Sequence, residues 1–400
     1  MGRYFTEKAR RLPICTKYDI AVVGGGIAGV SAALSAARRG KKVLLLERMF
    51  ALGGLATLGL ITVYLPLCDG NGKQVSFGIA EELLKLSIRY GFEADNPDTW
   101  LKPGKGEHGK QRYQVRFNAQ VFSVLMEELI EEAGADILYG TVVTDVLMEE
   151  GRLGGLIIEN KSGRQLVEAA SFVDASGDAD VFKLAGAPTA LYEKKNSLAA
   201  WYYATKDGRT SLHMLGAADV LPDDPDAETP VRIASGRISG VDAWEISHQV
   251  RESHRHSLKA FLEKGGVSES HSLTTLAMLP QLRMTRRICG EYTLDETESH
   301  RFFEDSIGMI GDWRKCGPVF EIPLRTLYRA DIPNLAAAGR CISVTDAMWD
   351  IARVIPACAV TGQAAGTAFA RNETLTELKA ASVQEALKQD GVILHESKIL

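Results

Sequence analysis

The first apolar run of the chain, Tyr18 to Gly24 (YDIAVVG), has the length and continuity of a strand buried on both faces. Ile27 to Arg39 is alanine-rich and of helical length, and Val43 to Glu47 (VLLLE) is a second continuous apolar run. Strand, helix and strand in this order predict a parallel βαβ unit. Residues 119–133 predict an amphipathic helix, with Phe122, Leu125, Leu129 and Ala133 on one face and Glu127, Glu128, Glu131 and Glu132 away from it. Gly134 ends that helix. From 141 to 174 apolar and polar positions alternate around Glu150-Gly151 and Ser162-Gly163, as in a β-meander. Ser171 to Ser176 reads as a strand that stops at Gly177-Asp178.

The rhythm changes between about 190 and 317, where aromatics, histidines and polar stretches replace the wound-sheet pattern. Asp219 to Pro230 (DVLPDDPDAETP) reads as an exposed acidic loop. A buried strand and turn return at 334–344, and a small-residue helix is expected over Thr361 to Ala370. The expected fold class is therefore α/β. A three-layer, Rossmann-like dinucleotide domain, with parallel sheet and meander, spans 17–190 together with 318–375. An α+β substrate or cap domain over 191–317 interrupts it, and 376–400 form a C-terminal helix and tail.

Composition narrows the classes. A net charge of −5 does not point to a nucleic-acid groove or an anionic membrane surface as partner. The uncharged stretch Ile20 to Ala37 would suit a signal peptide or membrane helix, but Gly24, Gly25 and Gly26 would break it. Cys15, Cys68, Cys289, Cys316, Cys341 and Cys358 contain no CxxC pair, which argues against a zinc ribbon, an iron–sulfur cluster or a local redox dithiol. No metal is expected, and a reducing cytoplasm is the simplest compartment.

Gly24-x-Gly26-x-x-Gly29 stands where the first strand meets its helix. The three glycines permit, in turn, a tight bend, approach of the backbone to a pyrophosphate, and close helix–strand packing. The helix that opens with Ile27 and Ala28 points its N-terminus at the phosphates. Glu47 ends the second strand, 18 residues after Gly29, where a carboxylate can accept both hydroxyls of an adenosine ribose. That carboxylate disfavours a 2′-phosphate, so NADP is not expected.

The run ERMFALGGLATLG, with Arg48, Gly53, Gly54, Leu55, Ala56 and Thr57, resembles the Gly-Gly segment after the ribose-binding acid in FAD enzymes of the glutathione-reductase type. GTVVTDV, containing Val143, is similar to their adenine-facing segment, and ASGD, with Ser176, Gly177 and Asp178, to the strand end beside the pyrophosphate. PQLRMTRRICGEYTL (280–294), FEDSIGMIGDW (303–313), FEIPLRTLY (320–328) and NLAAAGRCISVTDAMWDIARVIPACAVTGQAAGTA (334–368) resemble in order and spacing a family known as FAD-dependent oxidoreductases. The resemblance implies FAD as cofactor and a flavoenzyme of unspecified substrate. Gly339-Arg340 departs from the Gly-Asp of many related flavoproteins, which puts in question how the ribityl chain is held there. The resemblance also implies that the small-residue helix aims its N-terminus at the flavin N1/C2=O edge, with Gly362 and Gln363 as backbone donors and Thr361 as cap.

The flavin carries the redox chemistry, so the chain's own task is placing substrate. Arg283, Arg286 and Arg287 cluster in the inserted region, and Arg340 and Arg353 stand near the flavin-closing segment; such forks suit carboxylate or phosphate. Set against that is an ordinary population of surface ion pairs. Cys358 could be a thiolate at a helix start, though packing is the commoner role of such a cysteine. His248, His254 and His256 read as a solvated helix face, and Trp201, Tyr202 and Tyr203 as a strand with one side on substrate and the other in a core. The leading expectation is hydride transfer between flavin and a small organic molecule, for which the arginines suggest an anionic group, with the electron donor or acceptor left open, as is homo-oligomerisation. A pyridine-nucleotide:disulfide reductase would need a second fingerprint and a paired disulfide, and neither is found. A non-enzymatic binding protein or an RNA-modifying flavoprotein remains as the alternative.

Overall fold

The computed structural model describes residues 5–90, 115–216 and 236–399; the acidic loop expected at 219–230 lies outside them. Strand β1 (Tyr18–Val23), helix α1 (Ile27–Ala37) and strand β2 (Val43–Leu46) form the predicted βαβ unit, with β1 and β2 parallel. All eleven residues of α1 are buried, so its alanines and serines serve a helix covered on every side rather than an amphipathic one. After the short strand β3 (Val63–Tyr64) and helix α2 (Ile79–Ser87), strand β4 (Val115–Arg116) pairs antiparallel with β3.

Helix α3 (Ala119–Glu132) begins at Asn118, whose side chain accepts from the N–H groups of Gln120 and Val121 at 3.0 and 3.2 Å. Its buried stripe is Phe122, Leu125, Met126 and Ile130, rotated from the expected one; Leu129 and Ala133 sit at its margin. Strand β5 (Asp136–Leu138) extends the sheet beside β2. Strands β6 (Val142–Glu149), β7 (Arg152–Asn160) and β8 (Gly163–Asp174) are the predicted meander. The twelve residues of β8 serve two partners: its first half pairs antiparallel with β7, its second half parallel with β1. Helix α4 (Asp180–Leu184) follows.

In the inserted region, strand β9 (Thr189–Leu191) leads into a hairpin of β10 (Ala200–Lys206) and β11 (Arg209–Leu215). Helix α5 (Ala243–Glu263) packs on β10 and on strand β12 (His271–Leu276), which completes a sheet of order β11-β10-β12. Period-two alternation sorts β10: Tyr202 and Ala204 join Phe261 of α5 in a small core, and Trp201 and Tyr203 take the opposite face. Strand β13 (Arg286–Ile288) returns to pair with β9.

Strands β14 (Ser306–Gly311) and β15 (Val319–Pro323) then pair with each other, joining residues on both sides of position 317. Strand β16 (Leu335–Ala337) pairs parallel with the second half of β8, giving the parallel order β5-β2-β1-β8-β16. Helix α6 (Asp346–Ala352) precedes α7 (Ile355–Arg371), which lies along α1, and α8 (Ala380–Gln389) follows. Val383 and Leu387 of α8, and Val392 and Leu394 beyond it, enter the same core as Ile20 and Leu45, so the last segment is built into the main body.

Helix α7 starts six residues before the expected Thr361. Pro356 sits in its first turn, where a missing N–H costs nothing, and its small residues continue one unbroken helix.

Candidate active site

The βα turn after β1 is drawn shut by backbone contacts. Gly53 N–H donates to Gly25 C=O at 2.8 Å, and Gly26 and Gly53 form a bridge. Gly24 has φ +102°, a region L side chains avoid, and a Cβ on Gly29 would lie 1.8 Å from the Gly24 carbonyl oxygen. Beside Gly26, by contrast, a Cβ would have no neighbour within 4 Å. The bend is tight where helix meets strand and open on the side a pyrophosphate would take.

Glu47 is nearly buried, and its carboxylate is held by two backbone donors, Gly25 N–H at 2.6 Å and Met49 N–H at 2.7 Å. Each oxygen keeps acceptor capacity for a sugar hydroxyl. Thr141 N–H donates to the Glu47 carbonyl at 3.0 Å, which brings the Val143 segment beside it, and Arg48 is exposed next to it. Thr57 donates its hydroxyl to Leu52 C=O at 2.6 Å and so shapes the 53–57 turn.

The strand end 174–178 was read for Ser176, Gly177 and Asp178; its anchor is Asp174. This buried carboxylate accepts from Ser176 N–H and Oγ, Val181 N–H and Phe182 N–H at 2.6–3.1 Å, capping α4. Its signal was present in the sequence as an acid closing an apolar strand. Asp178 stands 3.7 Å from the Arg340 guanidinium and accepts from the Thr285 hydroxyl. Asp180 is pushed up to about 6, first by burial and then by Asp178 and Asp174. Arg340 also donates to Leu282 C=O at 2.5 Å, so the residue standing where relatives carry Asp ties the turn to the inserted region.

The helix-terminus expectation is corrected in three particulars. Thr361 is in the interior of α7; its hydroxyl donates to Ala357 C=O and accepts from Gly339 N–H, both at 2.9 Å, so it fixes the 339–340 turn. Gln363 turns away: its side chain accepts from Ile79 N–H at 2.9 Å and donates to Asp390 at 3.0 Å, joining α2 to the segment after α8. Gly362 is a packing residue, since a Cβ there would lie 2.1 Å from the Ala28 carbonyl oxygen of α1. The backbone N–H groups of 361–363 lie too far along the helix to be terminal donors. The true N-terminus, at Val354, has no side-chain cap.

A cavity of about 300 Å³ opens between these parts. Gly26, Ile27, Gly53, Leu55 and Ala56 line one side, Arg353, Val354, Ile355 and Cys358 the start of α7, and Trp201, Met214 and Trp313 the far wall. Arg283, Arg340 and Arg116 also reach it. Arg286 and Arg287 do not: they stand 3.6 Å from Asp180 and 3.7 Å from Asp346, and Arg287 lies over the Trp349 ring. Arg353 is hydrogen-bonded to Asp350. Cys358 is buried, and burial pushes its thiol up to about 11, so it is a protonated wall residue rather than a thiolate. Arg116, Met214 and Trp313 were missed. Arg116 had a signal in QVRF, where Val115 and Phe117 alternate inward around it, but the chain distance from β3 hid its destination.

A parallel sheet of this order, with a glycine turn, a strand-end acid and a cavity beneath a separate sheet, defines a dinucleotide-binding flavoprotein fold. The sequence pattern of the FAD dependent oxidoreductase family matches residues 19–200 and 192–387, and the chain belongs to that family. The open face of Gly26 and the pinned Glu47 fit the FAD that this family is named for. Thiamine thiazole synthase of Methanococcus aeolicus is 32% identical over 177 residues, covering 41% of this chain and 56% of that protein. Digeranylgeranylglycerophospholipid reductase 2 of Methanothermobacter thermautotrophicus is 28% identical over 170 residues, 40% of each chain. The chain thus spans about half or less of the length of these relatives. A geranylgeranyl bacteriochlorophyll reductase-like structure from Thermoplasma acidophilum aligns over 93% of this chain and 83% of its own at 16% identity and a TM-score of 0.47. Among the described residues no helix is long and apolar enough to cross a membrane.

Proposed function

We propose that the chain transfers a hydride between FAD and a small organic molecule held in the cavity between the glycine turn and the β10–β11 sheet. The observation that carries this reading is the cavity itself: Gly26 and Gly53 on one wall, Trp201 and Met214 of the inserted sheet on the other. Gly24, Gly26, Gly29, Glu47 and Arg48 would hold the adenosine and pyrophosphate, and Gly53, Gly54, Gly339 and Arg340 the ribityl side. When bound, FAD supplies a two-electron donor or acceptor. Leu55, Ile61, Val63 and Leu65 keep water from the reacting face. The uncapped start of α7 adds partial positive charge to the same cavity. In this division the cap begins near 191 and ends before β14, since β14 pairs with β15 and packs on α7 and α8.

The test is anaerobic screening of small organic substrates for bleaching of the flavin band, with Glu47→Ala as control. Wild type should release FAD, not FMN, on denaturation, and the variant should lose FAD while keeping its fold. Release of FMN alone, or full FAD retention by the variant, would overturn the assignment of Glu47 to the ribose.

A further inference from the structure

The charge inside the cavity is one-sided. Arg116, Arg283, Arg340 and Arg353 reach it, and among the described residues no aspartate or glutamate lines it. Two of these cations already have acids: Arg340 stands beside Asp178, and Arg353 is bonded to Asp350. Arg283 lies 5.1 Å above the Trp201 ring and donates to Gln281 Oε1 at 2.6 Å.

Arg116 is different. It is exposed, and among the described residues no carboxylate or hydrogen-bond acceptor meets its guanidinium. Its register partner across β3–β4 is Val63, itself a cavity wall, and its neighbours Val115 and Phe117 are fully buried. Strand alternation therefore holds the Arg116 guanidinium on the cavity side. The wall also holds aliphatic side chains and the indoles of Trp201 and Trp313, each with one face under a guanidinium, Arg283 at 5.1 Å and Arg353 at 5.9 Å. The Tyr203 hydroxyl, whose ionisation feels the Arg116 charge, is bonded to Thr62.

A guanidinium at the cavity edge that no described acid meets gains a strong, charge-assisted contact only from an anion. Indole faces favour a planar body against them. We infer that the substrate is a small organic acid, a planar apolar body carrying a single carboxylate, and that Arg116 is the residue that recognises the carboxylate. This rests on the cavity being the substrate site proposed above.

Calorimetry on the FAD-loaded protein tests it with three probes: 2-naphthoate, neutral 2-naphthalenemethanol, and acetate. Naphthoate should bind at least about tenfold tighter than either of the others, which lack the charge or the apolar body. Arg116→Ala should weaken naphthoate binding roughly 10- to 150-fold, the worth of one hydrogen bond to a charged group. The alcohol should be unaffected, and Arg116→Lys should restore part of the loss. Equal binding of acid and alcohol, acetate binding as tightly as naphthoate, or an unchanged naphthoate affinity in Arg116→Ala would each overturn the inference. FAD content read on the same samples separates the two claims: absence of FAD from the wild type counts against the flavin assignments, whereas lost acid selectivity with FAD retained counts against this one.

Discussion

At the scale of single residues, what matters is which polar group is already satisfied. Glu47 is pinned by two N–H donors and still has lone pairs to offer, as the ribose role proposed for it requires. Thr361 and Gln363 have spent theirs on the frame. Cys358 shows how location and reactivity part company. It sits in the first turns of α7 and lines the cavity, yet burial holds its thiol near 11 against an ordinary 9.0. At pH 8 that lowers the thiolate fraction about a hundredfold, because the ionised form is the nucleophile. Iodoacetamide should accordingly leave Cys358 unlabelled at pH 8 in the folded protein, with labelling rising as pH approaches 11 and on unfolding. Rapid labelling at pH 8, read by peptide mass spectrometry, would mean that the thiolate is stabilised after all.

Elements add what no residue has alone. Helix α7 has two jobs separated along its length. Its middle is a packing surface in which Gly362 and Gly366 let α1 approach; a Cβ at either would lie 2.1 Å from a carbonyl oxygen of that helix. Its beginning carries the unbonded N–H groups and the positive end of the dipole into the cavity. A substitution that tests the electrostatic role must therefore fall at the start. Val354→Asp places a negative charge at the cap, where a terminal charge is worth about 0.3–1 kcal/mol. Reduced flavin is the more negative state, so the variant should lower the midpoint potential by roughly 6–20 mV. Spectroelectrochemistry on FAD-loaded protein measures this, and an unchanged potential would leave the terminus without an electrostatic share. The β10 strand is a second case of divided work: one face closes the small core with Phe261, the other gives Trp201 to the cavity.

On the scale of the whole molecule, the proposed FAD site draws on segments far apart in the chain: the turn at 24–29, the turn at 53–57, the strand end at 174–178 and the turn at 339–340. A ligand that bridges them stabilises only the folded state. At a hundred times its dissociation constant, FAD should add about 2.7 kcal/mol. For 400 residues this is a rise in Tm of roughly 3 °C. Scanning fluorimetry of apo and FAD-loaded protein checks it; no rise with FAD bound would mean that these segments do not share the ligand. The βαβ unit, the meander, the glycine turn and Glu47 were all legible from sequence, because each depends on periodicity or spacing within some thirty neighbouring residues. The start of α7 was misread because small residues mark close packing and ligand approach alike, and only the position of α1 tells them apart. Likewise, Arg283, Arg286, Arg287, Arg340 and Arg353 look alike in the chain, and nothing there sets Arg116 beside them. Tertiary structure alone decided which meet an acid, which face the cavity, and that Arg116 does the second without the first, because a charge's partner is set by the fold and not by its neighbours in sequence.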